Sequence, residues 1–90
     1  MYNCVKLKEK DNVATVTKAL NVGEKSEYRF KGEDFEIEVK ENIPLYHKIA
    51  LEDIPKGSVI YKYGCKIGYA LEDIKKGTHV HTENLDSKMR

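Results

Sequence analysis

Ninety residues with a net charge of +1 limit what this chain can be. A hydrophobic fraction of 40% and six tyrosines exclude a chain that is disordered throughout. Neither half carries the excess of basic residues that binding to phosphate backbones requires, so we expect no nucleic-acid partner.

The same composition bears on location and assembly. No apolar run reaches the length of a membrane span, and the N-terminus lacks the apolar core of a signal peptide. We therefore expect a cytoplasmic protein with no membrane partner. A chain of this length forms one small domain with a thin core. That favours a second source of burial, either a partner protein or a homo-oligomer.

The first half of the chain has the pattern of short strands and tight turns. Residues 13–17 are β-branched and predict a strand. Residues 28–30 and 35–39 predict two more strands, joined by a hairpin loop at 31–34. Alternation in the second of these strands predicts an inward-facing set: Phe35, Ile37 and Val39.

The second half contains one stretch twice, 20 residues apart, at 50–60 and 70–80. Both copies begin Ala-Leu-Glu-Asp-Ile and reach a glycine three positions later, and residues 20–23 look like a degenerate third copy. Pro55 and the glycine two residues after it predict a type I turn over residues 54–57. The apolar repeat residues are predicted to be core: Ala50, Leu51, Ile54, Ala70, Leu71 and Ile74.

Polar and glycine residues complete the fold prediction. Asp53 and Asp73, just before the turns, are expected to accept hydrogen bonds from turn backbone. Gly64 and Gly68 indicate turns or a close approach of strands. Many short strands between Gly and Pro turns predict a single, compact, mostly β domain over residues 1–90. Residues 86–90 have no pattern and are expected to be a disordered tail.

All three histidines lie in or beside the repeated half. His79 and His81 are two apart, which places both rings on one face of a strand. That spacing suits two nitrogen ligands of a divalent metal, or general acid–base catalysis near neutral pH. His47 precedes the first copy and approaches the pair if the copies associate. A His-x-His pair is also common as a plain surface feature of a strand, and this alternative stays open.

Three neighbouring side chains extend this candidate site. Glu83 and Asn84 add oxygen groups close to His81. Lys48 is placed to anchor a substrate carboxylate, although a solvated lysine is the plainer interpretation. No phosphate-binding loop or nucleophile elbow is present in the sequence.

These residues resemble the N-terminal SAF-type domain of altronate dehydratases, and galactarate dehydratases and the small subunit of sulfolactate sulfo-lyase are similar. Asp11-Asn12-Val13-Ala14 is similar to the opening motif of the family. The segment His-Val-His-Thr-x-Asn at 79–84 is the most specific part of the resemblance. The matching positions between them are 47–54, Lys56-Gly57, Tyr63-Gly64, Ile67-Gly68, Ala70, Asp73-Ile74 and Gly77.

The resemblance implies a β-clip fold and a role in dehydrating sugar acids to 2-keto-3-deoxy acids. It also implies a divalent metal, Fe(II) or Mn(II), and a much larger catalytic region that this chain lacks. The chain then corresponds to a small subunit that acts with a large catalytic dehydratase subunit on a sugar-acid substrate. Many members carry a further histidine where this chain has Glu83, which exchanges a nitrogen ligand for an oxygen ligand.

The resemblance also implies roles for individual residues. His47, His79 and His81 are expected to be catalytic, and Lys48 and Asn84 to bind substrate oxygens. His79, His81 and Glu83 are the expected metal ligands. Two alternatives remain: the small subunit of a sulfolactate sulfo-lyase, in which sulfite leaves instead of water, and a carbohydrate-binding or interaction module without catalysis.

Overall fold

The computed structural model describes residues 1–87, and every regular element in that range is a β-strand. The mostly β prediction is therefore confirmed. No helix in the described range is long and apolar enough to cross a membrane. The strands are β1 (Cys4–Val5), β2 (Val13–Val16), β3 (Lys25–Phe30), β4 (Glu33–Glu38), β5 (Lys48–Ala50), β6 (Val59–Lys62), β7 (Cys65–Ala70), β8 (His79–Val80) and β9 (Leu85–Asp86).

The strands form three small antiparallel sheets. The first has the order β1-β2-β5-β8, so it joins strands from both halves of the chain. β3 pairs with β4 alone, and β7 lies between β6 and β9 in the third sheet. The two hairpins turn through Lys31–Gly32 and Tyr63–Gly64, whose four φ angles are all positive. This pattern is that of a type I′ turn, so the first hairpin loop is two residues shorter than predicted.

Four turns in the chain share one geometry. The third residue of each is left-handed, with φ of 91° at Gly23, 66° at Tyr46, 88° at Gly57 and 89° at Gly77. The next residue donates its N–H to the carbonyl three positions earlier, at 3.0–3.1 Å. The degenerate copy at 20–23 is thus a true equivalent. A fourth copy escapes sequence detection because tyrosine stands where the others have glycine.

The four copies form two pairs: the copy at 20–23 with the copy at 43–46, and the copy at 54–57 with the copy at 74–77. Leu20 and Ile43 exchange two backbone hydrogen bonds of 2.9 and 2.8 Å, and Ile54 and Ile74 exchange two of 2.7 and 2.8 Å. In every copy the left-handed residue also donates its N–H to a carbonyl in the segment that leads into the other copy, at 2.8–3.1 Å. The duplicated stretch is therefore scaffold.

Two aspartates connect the copies at 54–57 and 74–77 by hydrogen bonds. Oδ1 of Asp53 accepts a hydrogen bond from the backbone N–H of Lys76, and Oδ1 of Asp73 accepts one from Lys56, each at 2.8 Å. The predicted bonds to turn backbone are confirmed. Each carboxylate, however, fixes the turn of the other copy, so the two copies depend on one another.

The turn prediction at residues 54–57 is wrong by one residue. The N–H of Ser58 donates to the carbonyl of Pro55 at 3.0 Å, so the turn begins at Pro55. Gly57 then occupies the third position, and its positive φ is what a type II turn requires and a type I turn excludes.

The core consists of two apolar clusters. Five of the six predicted repeat residues are buried, but Leu71 is 41% exposed, so that prediction is wrong. Phe35 was also expected inside; it is 39% exposed and stacks on Tyr28 at 5.1 Å between ring centroids. The buried members of the first cluster are Cys4, Ala14, Val16, Leu20, Tyr28, Ile37, Val39, Ile43, Ile49 and Leu51. Those of the second are Val13, Ala50, Ile54, Ile60, Ala70, Ile74 and Val80.

Strand β9 reaches into the segment that was expected to be a disordered tail. Asp86, expected to begin the tail, lies in β9 and pairs with Tyr69 of β7. Gly68 permits this contact, because a Cβ at that position would lie 2.3 Å from the carbonyl oxygen of Asp86. The close approach predicted from Gly68 is confirmed. Residues 88–90 of the expected tail lie outside the described residues.

Two equivalent glycines provide a matched test of this scaffold. Alanine at Gly57 meets no atom within 4 Å and suffers only the left-handed backbone, about 1 kcal/mol. Alanine at Gly77 also places its Cβ 2.2 Å from the carbonyl oxygen of Glu38, which adds about 2 kcal/mol of steric strain. We expect Gly77→Ala to lower the free energy of unfolding clearly more than Gly57→Ala in denaturant titrations. Equal losses would contradict the close packing of Gly77 against the backbone of Glu38.

Candidate functional site

The first sheet brings the three histidines together. β5 and β8 are antiparallel neighbours, with Lys48 opposite Val80 and Ile49 opposite His79. His47 directly precedes β5, while His79 opens β8 and His81 follows it. Residues 32 positions apart in the chain therefore meet at one end of this strand pair, as the sequence predicted.

The three imidazoles form a compact cluster. Nδ1 of His47 lies 2.9 Å from Nε2 of His79, a hydrogen-bond distance. The ring of His81 stacks on that of His47, with centroids 4.4 Å apart and planes 19° from parallel. One nitrogen from each ring lies within 4.8 Å of the others. Within residues 1–87 this is the one group of His, Cys, Asp or Glu side chains close enough to hold a metal ion.

The contact between His47 and His79 limits their protonation. A hydrogen bond between two imidazole nitrogens needs one N–H donor and one free lone pair, so the pair holds one proton between those atoms. Burial lowers the pKa of His79 below its ordinary value of 6.5, and electrostatic interaction with His47 and His81 lowers it further. Glu41 and Glu83 oppose this shift. A neutral ring near pH 7 is available as a proton acceptor.

Asn84 holds the loop that carries His81. Its side-chain oxygen accepts a hydrogen bond from the N–H of His81 at 2.9 Å, and its nitrogen donates to the carbonyl of His79 at 2.8 Å. The amide thus bridges two histidines through their backbones. This geometry gives Asn84 a structural task, and substrate binding by Asn84 stays a prediction.

His79 and His81, but not His47, line an open, acidic cavity of about 420 Å³. Four carboxylates and a single lysine, Lys75, line it, so its charge is negative when the histidines are neutral. A sugar acid is itself an anion and would be repelled by such a cavity unless a cation were added. The lining residues are Glu41, Glu72, Asp73, Ile74, Lys75, Thr78, His79, His81, Glu83 and Asn84.

Two predicted site residues lie outside the histidine cluster. Glu83 lines the cavity, but the third member of the close group is His47 and not Glu83. Lys48 does not line the cavity. It is partly buried in β5, where burial and the neighbouring positive charge of Lys62 lower its pKa. Adjacent strand residues face opposite sides, which separates Lys48 from His47.

Apart from Glu83, the acidic lining of the cavity was not predicted from the sequence. Glu72 and Asp73 belong to the repeat, and because the first copy has the same two residues they looked like scaffold. Glu41 lies in the connection before β5, and its carboxylate accepts a hydrogen bond from the N–H of His79 at 3.0 Å. Its one signal in the sequence was a charge just ahead of the segment that carries His47.

The fold and the site together define a small all-β domain that presents three clustered histidines beside an acidic cavity. The family model described as the altronate/galactarate dehydratase SAF domain matches residues 2–88. The chain belongs to this family.

Named relatives are lyases of two kinds. The chain is 36% identical to the altronate dehydratase of Bacillus subtilis over 89 residues, which cover 99% of this chain and 17% of that enzyme. It is 38% identical to the galactarate dehydratase (L-threo-forming) of Escherichia coli over 76 residues, 84% of this chain and 14% of that enzyme. Over 55 residues it is 40% identical to the (2R)-sulfolactate sulfo-lyase subunit alpha of Paracoccus pantotrophus, covering 61% of this chain and 82% of that subunit. The chain thus spans about a sixth of the altronate dehydratase it matches.

Proposed function

We propose that this chain is the small SAF component of a sugar-acid hydro-lyase and acts with a separate large catalytic subunit in the cytoplasm. The observation that carries the proposal is the meeting of His47, His79 and His81 within 4.8 Å, in a domain of a dehydratase family. The reaction converts an aldonate to a 2-keto-3-deoxy acid and water.

The charge of the cavity supports a second component. Four carboxylates against Lys75 disfavour a free aldonate, whose own carboxylate needs a cationic partner. This chain alone is therefore a poor binding site for the substrate. We infer that basic groups of the large subunit, or a bound cation, complete the site.

The histidines of this chain would move protons. In the proposed reaction a base removes the proton α to the substrate carboxylate, and the β-hydroxyl leaves as water after taking up a proton. The resulting enol becomes the 2-keto-3-deoxy acid. His79, kept neutral by its lowered pKa, suits the role of acceptor at a ring nitrogen. His47, in hydrogen-bond contact with it, orients the ring and shares the proton.

A divalent metal of the kind expected for the family, Fe(II) or Mn(II), fits this cluster. One nitrogen from each of the three rings lies within 4.8 Å of the others, so the imidazoles could converge on one ion. Imidazole nitrogens suit iron and zinc better than manganese. His47, His79 and His81 would hold the ion in place of the proton that His47 and His79 share, so the acid–base role of His79 belongs to the cluster without a metal. When bound, a metal of this kind stabilises negative charge that develops on substrate oxygens.

The alternative lyase function is that of a sulfolactate sulfo-lyase subunit. It is favoured by one observation: this chain covers 82% of the alpha subunit from Paracoccus pantotrophus, against about a sixth of the altronate dehydratase. The same proton chemistry would then expel sulfite in place of water. A non-catalytic carbohydrate-binding or interaction module is the third alternative.

Reconstitution tests the proposal. Dehydration of a panel of aldonates, aldarates and sulfolactate is measured with this chain alone, with the large subunit alone and with both. We expect activity with both chains only. Equal activity of the large subunit with and without this chain would refute a catalytic contribution, and sulfite release would select the sulfo-lyase.

Calorimetric titration with Fe(II), Mn(II) and Zn(II) tests the proposed metal ligands. The wild-type chain is expected to bind one ion, and His47→Ala to weaken binding by roughly 100-fold or more, because His47 would be a direct ligand and loss of an outer-shell residue already costs about 10–100-fold. Glu83→Gln is the matched comparison, because the sequence predicted Glu83 in place of His47. A larger loss from Glu83→Gln than from His47→Ala would contradict the histidine set.

A further inference from the structure

The turn that leads into the histidine cluster departs from its three equivalents. Glycine occupies the left-handed position in the other turns, at Gly23, Gly57 and Gly77, whereas Tyr46 occupies it here. A left-handed backbone is unfavourable for a bulky residue and is tolerated freely by glycine. The fold alone would therefore favour glycine at position 46.

The fold makes little use of the Tyr46 side chain. It is 71% exposed, and Leu45 beside it is 46% exposed. What residue 46 gives the scaffold is its backbone N–H, which donates to the carbonyl of Val16 at 3.1 Å. Glycine would make the same hydrogen bond. Residues in unfavourable backbone conformations cluster at binding and active sites. The side chain of Tyr46 is also about twice as exposed as that of Tyr63, the other left-handed tyrosine, at 71% against 36%.

The position of this turn indicates what it binds. Tyr46 directly precedes His47, so the turn with exposed Leu45 and Tyr46 borders the histidine cluster. The chain aligns with 17% of the altronate dehydratase of Bacillus subtilis, and the large remainder of such an enzyme must lie against this domain to share its histidines. Tyrosine is also enriched among the residues that dominate binding energy at protein interfaces.

We propose that the turn formed by residues 44–47 is a docking contact for the large catalytic subunit, with Tyr46 as its anchor. The inference rests on the proposed function, from which it takes the partner. Tyr46 does not line the acidic cavity, so docking at this turn leaves the cavity open to reactants.

A binding titration with the purified large dehydratase subunit of the same organism tests the contact. Tyr46→Gly is expected to raise the Kd about tenfold or more, while its Tm stays the same or rises by a few degrees because the left-handed strain is relieved. Tyr63→Gly is the matched control, since Tyr63 is also a left-handed tyrosine, with φ of 56°, but lies in the β6–β7 hairpin. Its affinity is expected to equal that of the wild type.

The outcomes separate the inference from the proposed function. Wild-type binding and activity with an unchanged Kd for Tyr46→Gly would overturn the docking contact and leave the proposed function standing. An equal loss of affinity in Tyr46→Gly and Tyr63→Gly would also overturn it, because the effect would then not be specific to this turn. No binding by the wild-type chain would overturn both.

Discussion

Replacing His79 by alanine is expected to lower the kcat of the reconstituted enzyme by about 100-fold or more, the usual effect of losing a general acid or base. The ring of His79 is the one in hydrogen-bond contact with His47. Its backbone N–H donates to Glu41 and its carbonyl accepts from Asn84, and both bonds survive the substitution. β8 should therefore stay in place. Turnover at saturating sugar acid and the Tm of the free chain are the two measurements.

Two further variants sharpen this result. If His47 and His79 act as a unit, the double alanine variant should lose little more activity than either single variant. Ser58→Ala is the matched control, because Ser58 follows its left-handed glycine as His47 follows Tyr46. Full turnover in His79→Ala with complex formation intact would favour the interaction module over the catalytic subunit.

Local sequence rules predicted the elements of the fold better than their pairing. β-branched runs and glycine spacing were sufficient for a mostly β domain, because strand propensity and turn chemistry act over a few residues. The four-copy scaffold was only partly visible. The four copies are equivalent in their backbone hydrogen bonds and left-handed φ angles, which the sequence does not show directly. One copy cannot be recognised from the sequence because Tyr46 stands where the other copies have glycine.

Two leucines at the same position of the repeat differ in burial. Leu51 and Leu71 share a position in the two clear copies, yet Leu51 is 6% exposed and Leu71 is 41% exposed. Leu51 joins the first core cluster together with Tyr28 and Ile37 of the β3–β4 hairpin. Leu71 belongs to neither core cluster of the described residues. A pattern within one segment carries no information about which distant element packs against it.

The site shows the same limit. His79 and His81 share a strand face by spacing alone, so the sequence predicted them together. The approach of His47 required β5 to pair with β8, which the duplicated stretch suggested. The acidic lining depends on which side of each turn faces the cavity. Nothing in the repeat distinguishes Asp73, which lines the cavity beside the histidines, from Asp53.

Asp11 provides the largest expected effect on stability. Its carboxylate is 1% exposed and accepts backbone hydrogen bonds from Leu7 at 3.1 Å, Lys8 at 3.0 Å and Gly64 at 2.7 Å. It thereby joins the N-terminal loop to the β6–β7 hairpin. Asp11→Ala leaves three N–H groups without their acceptor, which should cost about 4 kcal/mol. That is a large share of the roughly 5–13 kcal/mol expected for a domain of this size.

The pH dependence of the Asp11 contribution follows from its pKa. Burial raises the pKa of Asp11, but hydrogen bonds from the N–H groups of Gly64, Lys8 and Leu7, together with the nearby N–H of Tyr63, more than offset this and hold it below the ordinary 3.8. A carboxyl whose pKa is lower in the folded state stabilises the fold fully above its unfolded pKa, and this contribution is lost as the pH falls through the folded pKa.

Asp11→Asn isolates this contribution, because the amide keeps one acceptor oxygen and turns an N–H group toward a backbone donor. The difference in unfolding free energy between wild type and Asp11→Asn should be constant around neutral pH and shrink in acid, where wild-type Asp11 takes up a proton. Denaturant titrations at about pH 7 and about pH 3 measure it. A difference that stayed the same at both pH values would mean that folding does not lower the pKa of Asp11.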